Sequence, residues 1–294
     1  MTFDTTDADD VRPSDLVGAA VQRREDPHLI TGDAEYTDDI AYPNESYLAL
    51  LGSRYGHARV TSADVSGAEA VDGVPAAPTG ADAGARAARG YMPPAARAGG
   101  GAEPAPATGG AAPPRPLLGD GRATFRAQRA AAVVAESRHA ARDALDRIDV
   151  DYDRLDAVVD PVEALSGDAP TVHDVAPTNV AFDWSTGDAD AADAAIAAAD
   201  NVVDLDLEIN RVAPTAMEPR AAVARYRRSD SELAVEMSTQ NPHQVQSDLA
   251  ETLGVPDNRI RVRPPDAGGG FGAKRWPYTV HLLAACLAVR LARP

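Results

Sequence analysis

The sequence predicts an α+β fold, and three observations carry that expectation. A strand, helix, strand run occupies residues 131 to 155, a second such run lies between residues 221 and 263, and a glycine-rich loop at 266–274 separates a strand from an apolar helix. With 294 residues, 44% of them hydrophobic, the chain is long enough for two ordinary domains, each with a core of its own.

Residues 1–14 are acidic, poor in apolar side chains and end in Arg12, Pro13 and Ser14, which predicts a disordered lead-in with order beginning near Leu16. Ser46 to Arg54 has the length and apolar density of a buried strand, and His57 to Val60 leads into a further strand or turn. From Pro75 to Arg115 the chain is almost wholly Ala, Gly, Pro and Arg, too little bulk to offset the entropy of ordering; it reads as a loop, a disordered insert or a damaged reading frame. After Ala131, AAAVVAES is a short buried strand, RHAARDALDRI a helix with Ala141, Leu145 and Ile148 on one face, and DVDYDRL a returning strand, an order that fits an α+β or α/β unit. The first domain is thus expected over 15–160 and a Pro- and Asp-rich linker over 161–180, with the beginning of a second domain over 181–294. That second domain opens with an alanine-rich helix at 189–199 and a strand near 202–208, followed by strands at 221–226 and 233–237.

Composition narrows the chemistry. The formal charge of −17 is dispersed along the chain, which argues against nucleic acid as a partner. Aspartate dominates, and the 28 basic residues include a single lysine, Lys274; this is the expected surface of a protein working in concentrated salt, or the signature of a GC-rich genome. Cys286 is the only cysteine, so no disulfide, zinc or iron–sulfur cluster can be assembled from this chain, and its apolar setting predicts a buried structural thiol. No stretch is long and apolar enough for a membrane span and the amino terminus lacks a signal pattern, so the expected address is cytoplasmic.

The chemistry is expected at Ser238 to Lys274. Asn241 suits a helix cap and Pro242 the first helical position; the helix that follows carries Val245, Leu249 and Leu253 on one face and stops at Gly254. RIRVR is the next strand. Gly268, Gly269, Gly270 and Gly272 then let backbone N–H groups approach a phosphate, a pterin ring or a metal-bound oxygen, with Lys274 as a point charge beside a phosphate. The loop is not a nucleotide P-loop, because Ala273 and Arg275 stand where Gly and Ser or Thr are needed, but it fits GxGxxA, so a nicotinamide site is a rival.

Several motifs occur together and in order: RREDPHLITGDAEYTDDI and SRYGHARV within 16–73, PLLGDGRATFRAQRAAAVVAES onward within 116–165, MEPRAAVARY at 217–226, STQNPH at 238–243 and DAGGGFGAK at 266–274. In these the chain resembles the molybdenum-cofactor-binding large subunits of the xanthine dehydrogenase and aldehyde oxidase family, with a weak tilt toward the carbon monoxide dehydrogenase branch. The resemblance implies an a/b hammerhead domain followed by the start of a mixed α/β molybdopterin-binding domain. It implies that Gln240 hydrogen-bonds an oxygen ligand of molybdenum, and that Gly269, Gly270, Phe271 and Gly272 lie against the pterin and the metal. The bland alternatives are Gln240 capping its own helix and Phe271 as plain core. Met217 to Arg220 matches a family signature, read as structural support.

The same resemblance implies molybdenum-molybdopterin in its cytosine dinucleotide form, an iron–sulfur small subunit, an FAD-binding medium subunit and a dimer of heterotrimers. The substrate would be a small molecule (carbon monoxide, an aldehyde or an aza-heterocycle) oxidised with water-derived oxygen. The glutamate base of the family, and the cysteine that holds copper in carbon monoxide dehydrogenases, would lie beyond a point like Pro294, so a truncated, non-catalytic remnant is the competing expectation. Ala127-Gln128-Arg129 departs from the family's Gly-[Glu/Gln]-Pro, a sign of damage upstream.

Overall fold

The computed structural model of the protein describes residues 17–83, 87, 88, 113, 115–119, 121–181 and 187–294. The expected lead-in at 1–14 and the middle of the low-complexity stretch lie outside the described residues.

Strands Tyr47–Gly52 and Arg129–Ala135 pair antiparallel, from Tyr47 opposite Ala135 to Leu51 opposite Ala131, with a bulge at Leu51 and Gly52. Helix Arg138–Leu145 packs on both strands. Its start is fixed by Ser137, whose hydroxyl accepts the Ala140 N–H. Strand Ala58–Asp64 forms a separate sheet between Arg122–Ala123 and Asp149–Arg154.

The continuous apolar run AAAVVA is explained by burial on both faces, since alternate residues of a strand point to opposite sides. Val133 and Ala135 pack under Ala141 and Ala144 of the helix. Ala132 and Val134 face the other way, into a cluster with Leu233, Val235, Met237, Leu249, Leu282 and Leu283. Leu117 and Leu118 join the same cluster. One apolar cluster thus joins residues from both halves of the chain, beside a smaller one confined to the first half.

One local expectation is narrowed and another is overturned. The start of the 75–115 stretch is ordered: the Ala132 N–H donates to Pro78 O and the Val134 N–H to Ala76 O, so this segment lies along strand Arg129–Ala135. Small side chains suffice there because the facing strand is itself alanine-rich, and the backbone supplies the hydrogen bonds. The expected strand near 202–208 does not form; Val203, Leu205, Leu207 and Ile209 are all at least 75% exposed. Its alternating pattern has no partner strand among the described residues, and a strand without a ladder is not stable in water. The preceding helix, Ala189–Ala197, does form, but with no buried residue.

In the second half, strand Ala222–Arg227 runs antiparallel to Glu232–Met237, which runs parallel to Ile260–Arg263. Helix Pro242–Leu253 makes the crossover, as parallel neighbours require. Asn241 Oδ1 accepts the Gln244 N–H and Gly254 closes the helix at φ 65°, as the sequence predicts. The apolar helix Thr279–Leu291 covers the first two of these strands. Cys286, only partly buried, packs at the edge of the core. Among the described residues no helix is long and apolar enough to cross a membrane.

Candidate functional site

Strand direction gathers the site. Glu232–Met237 and Ile260–Arg263 are parallel, so the segments leaving them, Ser238 to Asn241 and Pro264 to Lys274, emerge at one edge. Ala222–Arg227 is antiparallel, so Met217 to Arg220 enter at that edge too. The carboxyl ends of parallel strands are where open α/β sheets place their ligands.

Gln240 and the glycine loop are in direct contact. The Gln240 N–H donates to Lys274 O at 2.9 Å, the Thr239 hydroxyl donates to the same oxygen at 3.1 Å, and Gln240 Oε1 accepts the Gly272 N–H at 3.0 Å. A Cβ at position 270 would lie 2.7 Å from Gln240 Cδ, so only glycine lets the carboxamide rest on the loop backbone. Among the described residues Gln240 Nε2 meets no acceptor, and the N–H groups of Gly269, Gly270 and Phe271 likewise donate to none. The result is a strip of donors beside one another, exposed at Gln240 and Phe271 and half-buried at Gly269 and Gly270. Phe271 has φ 49° and is 74% exposed, so it is not core. Gly268 and Gly272 are not bare donors, because Glu218 and Gln240 occupy their N–H groups.

Lys274 differs from the expectation as well. Its ammonium is buried, 2.7 Å from Glu218 Oε2 and 2.9 Å from Ser238 Oγ, so it is neutralised within the protein and offers no charge to a phosphate. Burial pushes the Glu218 carboxyl up, but hydrogen bonds from the Lys274 ammonium, Ser238 and the Gly268 N–H outweigh this and hold it below the usual carboxylate range. Sequence reasoning placed Glu218 only within a signature read as structural support and gave it no partner. The signal available was the lone lysine in an otherwise arginine-only chain: a buried lysine requires an acidic partner, and Glu218 sits in the neighbouring motif.

An N-terminal segment completes the surround. Asp266 exchanges hydrogen bonds with Glu35, its N–H donating to Glu35 O at 3.1 Å while its Oδ2 accepts the Glu35 N–H at 2.9 Å. His28 Nε2 lies 2.7 Å from the same Asp266 oxygen, and this contact with the Glu35 N–H lowers the Asp266 carboxyl. The Thr37 N–H reaches Glu218 Oε1 at 3.5 Å.

The geometry also bears on the nicotinamide rival. Helix Thr279–Leu291 begins well past Gly272, so the GxGxxA glycines do not form the first turn that would cradle a dinucleotide pyrophosphate. A cavity of about 670 Å³ lies elsewhere, between strand Tyr47–Gly52 and the helix Thr279–Leu291. It is lined by Leu48, Val134, Val223, Leu287 and His281 and touches neither Gln240 nor the glycine loop.

Comparison with known proteins places these elements. Residues 31–156 match the aldehyde oxidase and xanthine dehydrogenase a/b hammerhead domain, and residues 172–294 match the molybdopterin cofactor-binding domain. The carbon monoxide dehydrogenase large chain of Afipia carboxidovorans is 30% identical over 305 residues, covering 100% of this chain and 36% of that one. Among solved structures, quinoline 2-oxidoreductase from Pseudomonas putida 86 superposes with a TM-score of 0.77 at 32% identity, covering 94% of this chain and 34% of that one. The Cu,Mo-CO dehydrogenase gives a TM-score of 0.80 at 30% identity, over 94% and 34%. The chain thus spans about a third of the length of these relatives.

Proposed function

Because the chain belongs to the molybdopterin-binding large subunits of the aldehyde oxidase and xanthine dehydrogenase family, we propose that Gln240 and the 269–272 loop form part of the surface that holds a molybdenum-molybdopterin group in a hydroxylase. The observation that carries this reading is the strip of unpartnered donors: the Gln240 carboxamide N–H beside the backbone N–H groups of Gly269, Gly270 and Phe271. The chemistry of this set fits such a group, since neutral donors recognise oxo and pterin oxygens without bringing a competing charge. The exposed Phe271 ring adds an apolar plate for a flat heterocycle.

The bound group would supply the redox chemistry by which a water-derived oxygen reaches the substrate. This chain's residues position it. Gln240 is oriented by the Gly272 N–H on its Oε1, leaving Nε2 to donate outward. The missing Cβ at Gly270 keeps the carboxamide and backbone in one layer.

The finer reading extends to the assembly: a cytosine dinucleotide form of the cofactor, an iron–sulfur small subunit, an FAD medium subunit and a dimer of heterotrimers. The substrate is a small molecule such as carbon monoxide, an aldehyde or an aza-heterocycle. The domain division follows 15–160, 161–180 and 181–294, and the acidic, lysine-poor surface fits a cytoplasm rich in salt.

Metal analysis tests the reading. Protein co-expressed with cofactor-maturation factors and its partner subunits should carry close to one molybdenum per chain, and Gln240→Ala should carry clearly less. Wild-type protein with no molybdenum after full maturation would instead identify a non-catalytic remnant.

A further inference from the structure

Glu218 is the only side chain among the described residues that grips both ends of the glycine loop. Its Oε2 accepts the Gly268 N–H at 2.9 Å and the Lys274 ammonium at 2.7 Å. Its own N–H donates to Gly268 O at 3.1 Å, which makes the Gly268 contact reciprocal. The fit is close enough that a Cβ added at Gly268 would clash with Glu218 Cβ. At the far end Lys274 is held a second time, its carbonyl accepting from Thr239 and Gln240. The carboxylate's remaining oxygen faces the Thr37 N–H, on the segment whose Glu35 pairs with Asp266 just before the loop.

Charge burial shows why this arrangement is more than a stability device. The Glu218 and Lys274 side chains are 10% and 3% exposed. A buried pair of this kind is poor evidence for net stabilisation, because desolvation offsets the attraction. What it fixes is geometry. With both ends drawn to one carboxylate, the loop is held bowed, and Gly269, Gly270 and Phe271 are left with N–H groups that no acceptor among the described residues claims. We infer that Glu218 is a positioning residue: it latches Gly268 and Lys274 together, and so presets the open donors of the loop before any cofactor arrives. The purpose assigned to the latch rests on the reading of the loop as a pterin-facing surface; the latch itself does not.

Hydrogen exchange on the cofactor-free full chain separates the two. In Glu218→Gln, exchange of the bonded Gly268 amide, and of Gly272 toward the loop's far end, should rise roughly tenfold or more, the size expected for losing a hydrogen bond to a charged group, while helix Thr279–Leu291 exchanges as in wild type. Glu218→Asp, which keeps the charge but falls short by a methylene, should not restore protection. Unchanged exchange at Gly268 and Gly272 in folded Glu218→Gln, or full rescue by Glu218→Asp, would overturn the inference. If Glu218→Gln does not fold, residue-resolved exchange of the wild-type amides decides. Slow Gly268 and Gly272 flanking fast Gly269, Gly270 and Phe271 supports the latch, and uniform fast exchange from 268 to 272 overturns it. Lack of molybdenum in matured wild-type protein would instead count against the cofactor reading, leaving the exchange result intact.

Discussion

At the scale of single residues, backbone and protonation make the sharpest demands. Ala127 sits at φ 68°, a left-handed conformation that is costly for a residue with a Cβ, and it is the position where the family pattern has glycine. The departure that looked like sequence damage is accommodated by the fold, at the cost of strain. Ala127→Gly should raise stability by about 1 kcal/mol, read as a higher unfolding midpoint; a lower midpoint would show that the strain is not there. His281 is held neutral: burial, reinforced by Arg220, lowers it to about 4. An unfolded histidine binds a proton near pH 6.5, so the unfolded state takes up more protons between about pH 6.5 and 4 and stability falls as pH drops through that window. The loss should reach about 3 kcal/mol at most, and His281→Leu should flatten the profile there. Glu218, depressed instead of raised, contributes stability above its unfolded value that is lost at still lower pH, so the two groups separate along one titration.

Among the elements, sequence patterns were most legible where local rules decide the outcome. Asn241, Pro242 and Gly254 bound their helix as caps and stops dictate, and AAAVVA is a strand buried on both sides. The failures share a physical cause, since both depended on partners. Pro75 to Thr79 is ordered by an alanine-rich neighbour that composition alone cannot reveal, and Val202 to Glu208 lacks the partner that its pattern requires. The latter predicts behaviour in solution. Val203, Leu205, Leu207 and Ile209 form an exposed, alternating apolar edge, the sort of segment that pairs with another chain. Leu205→Lys with Leu207→Lys should reduce concentration-dependent self-association in sedimentation while leaving the circular dichroism unchanged. Unaltered association would mean that this edge is not the contact.

For the whole molecule, one core unites two matched regions. Leu118 and Val134, from the first, pack with Leu233 and Leu282 from the second. Leu118→Ala should therefore cost about 2–5 kcal/mol and lower the unfolding midpoint of both halves together, seen as a single shifted transition; two transitions of which only one moves would deny the shared core. The site follows from the same architecture, because parallel strands bring Gln240 and the glycine loop to one edge. Motif and glycine spacing singled out both in the sequence, whereas the roles of Glu218 and of the 28–37 segment were hidden because they come from contacts 50 to 56 and more than a hundred residues away, respectively. The most direct test of the central claim is an anomalous-scattering map at the molybdenum edge from crystals of the matured complex. The account predicts a peak beside the Gln240 carboxamide and the Gly269 to Phe271 amides; a peak in the cavity between Tyr47–Gly52 and Thr279–Leu291, or anywhere remote from Gln240, would contradict it.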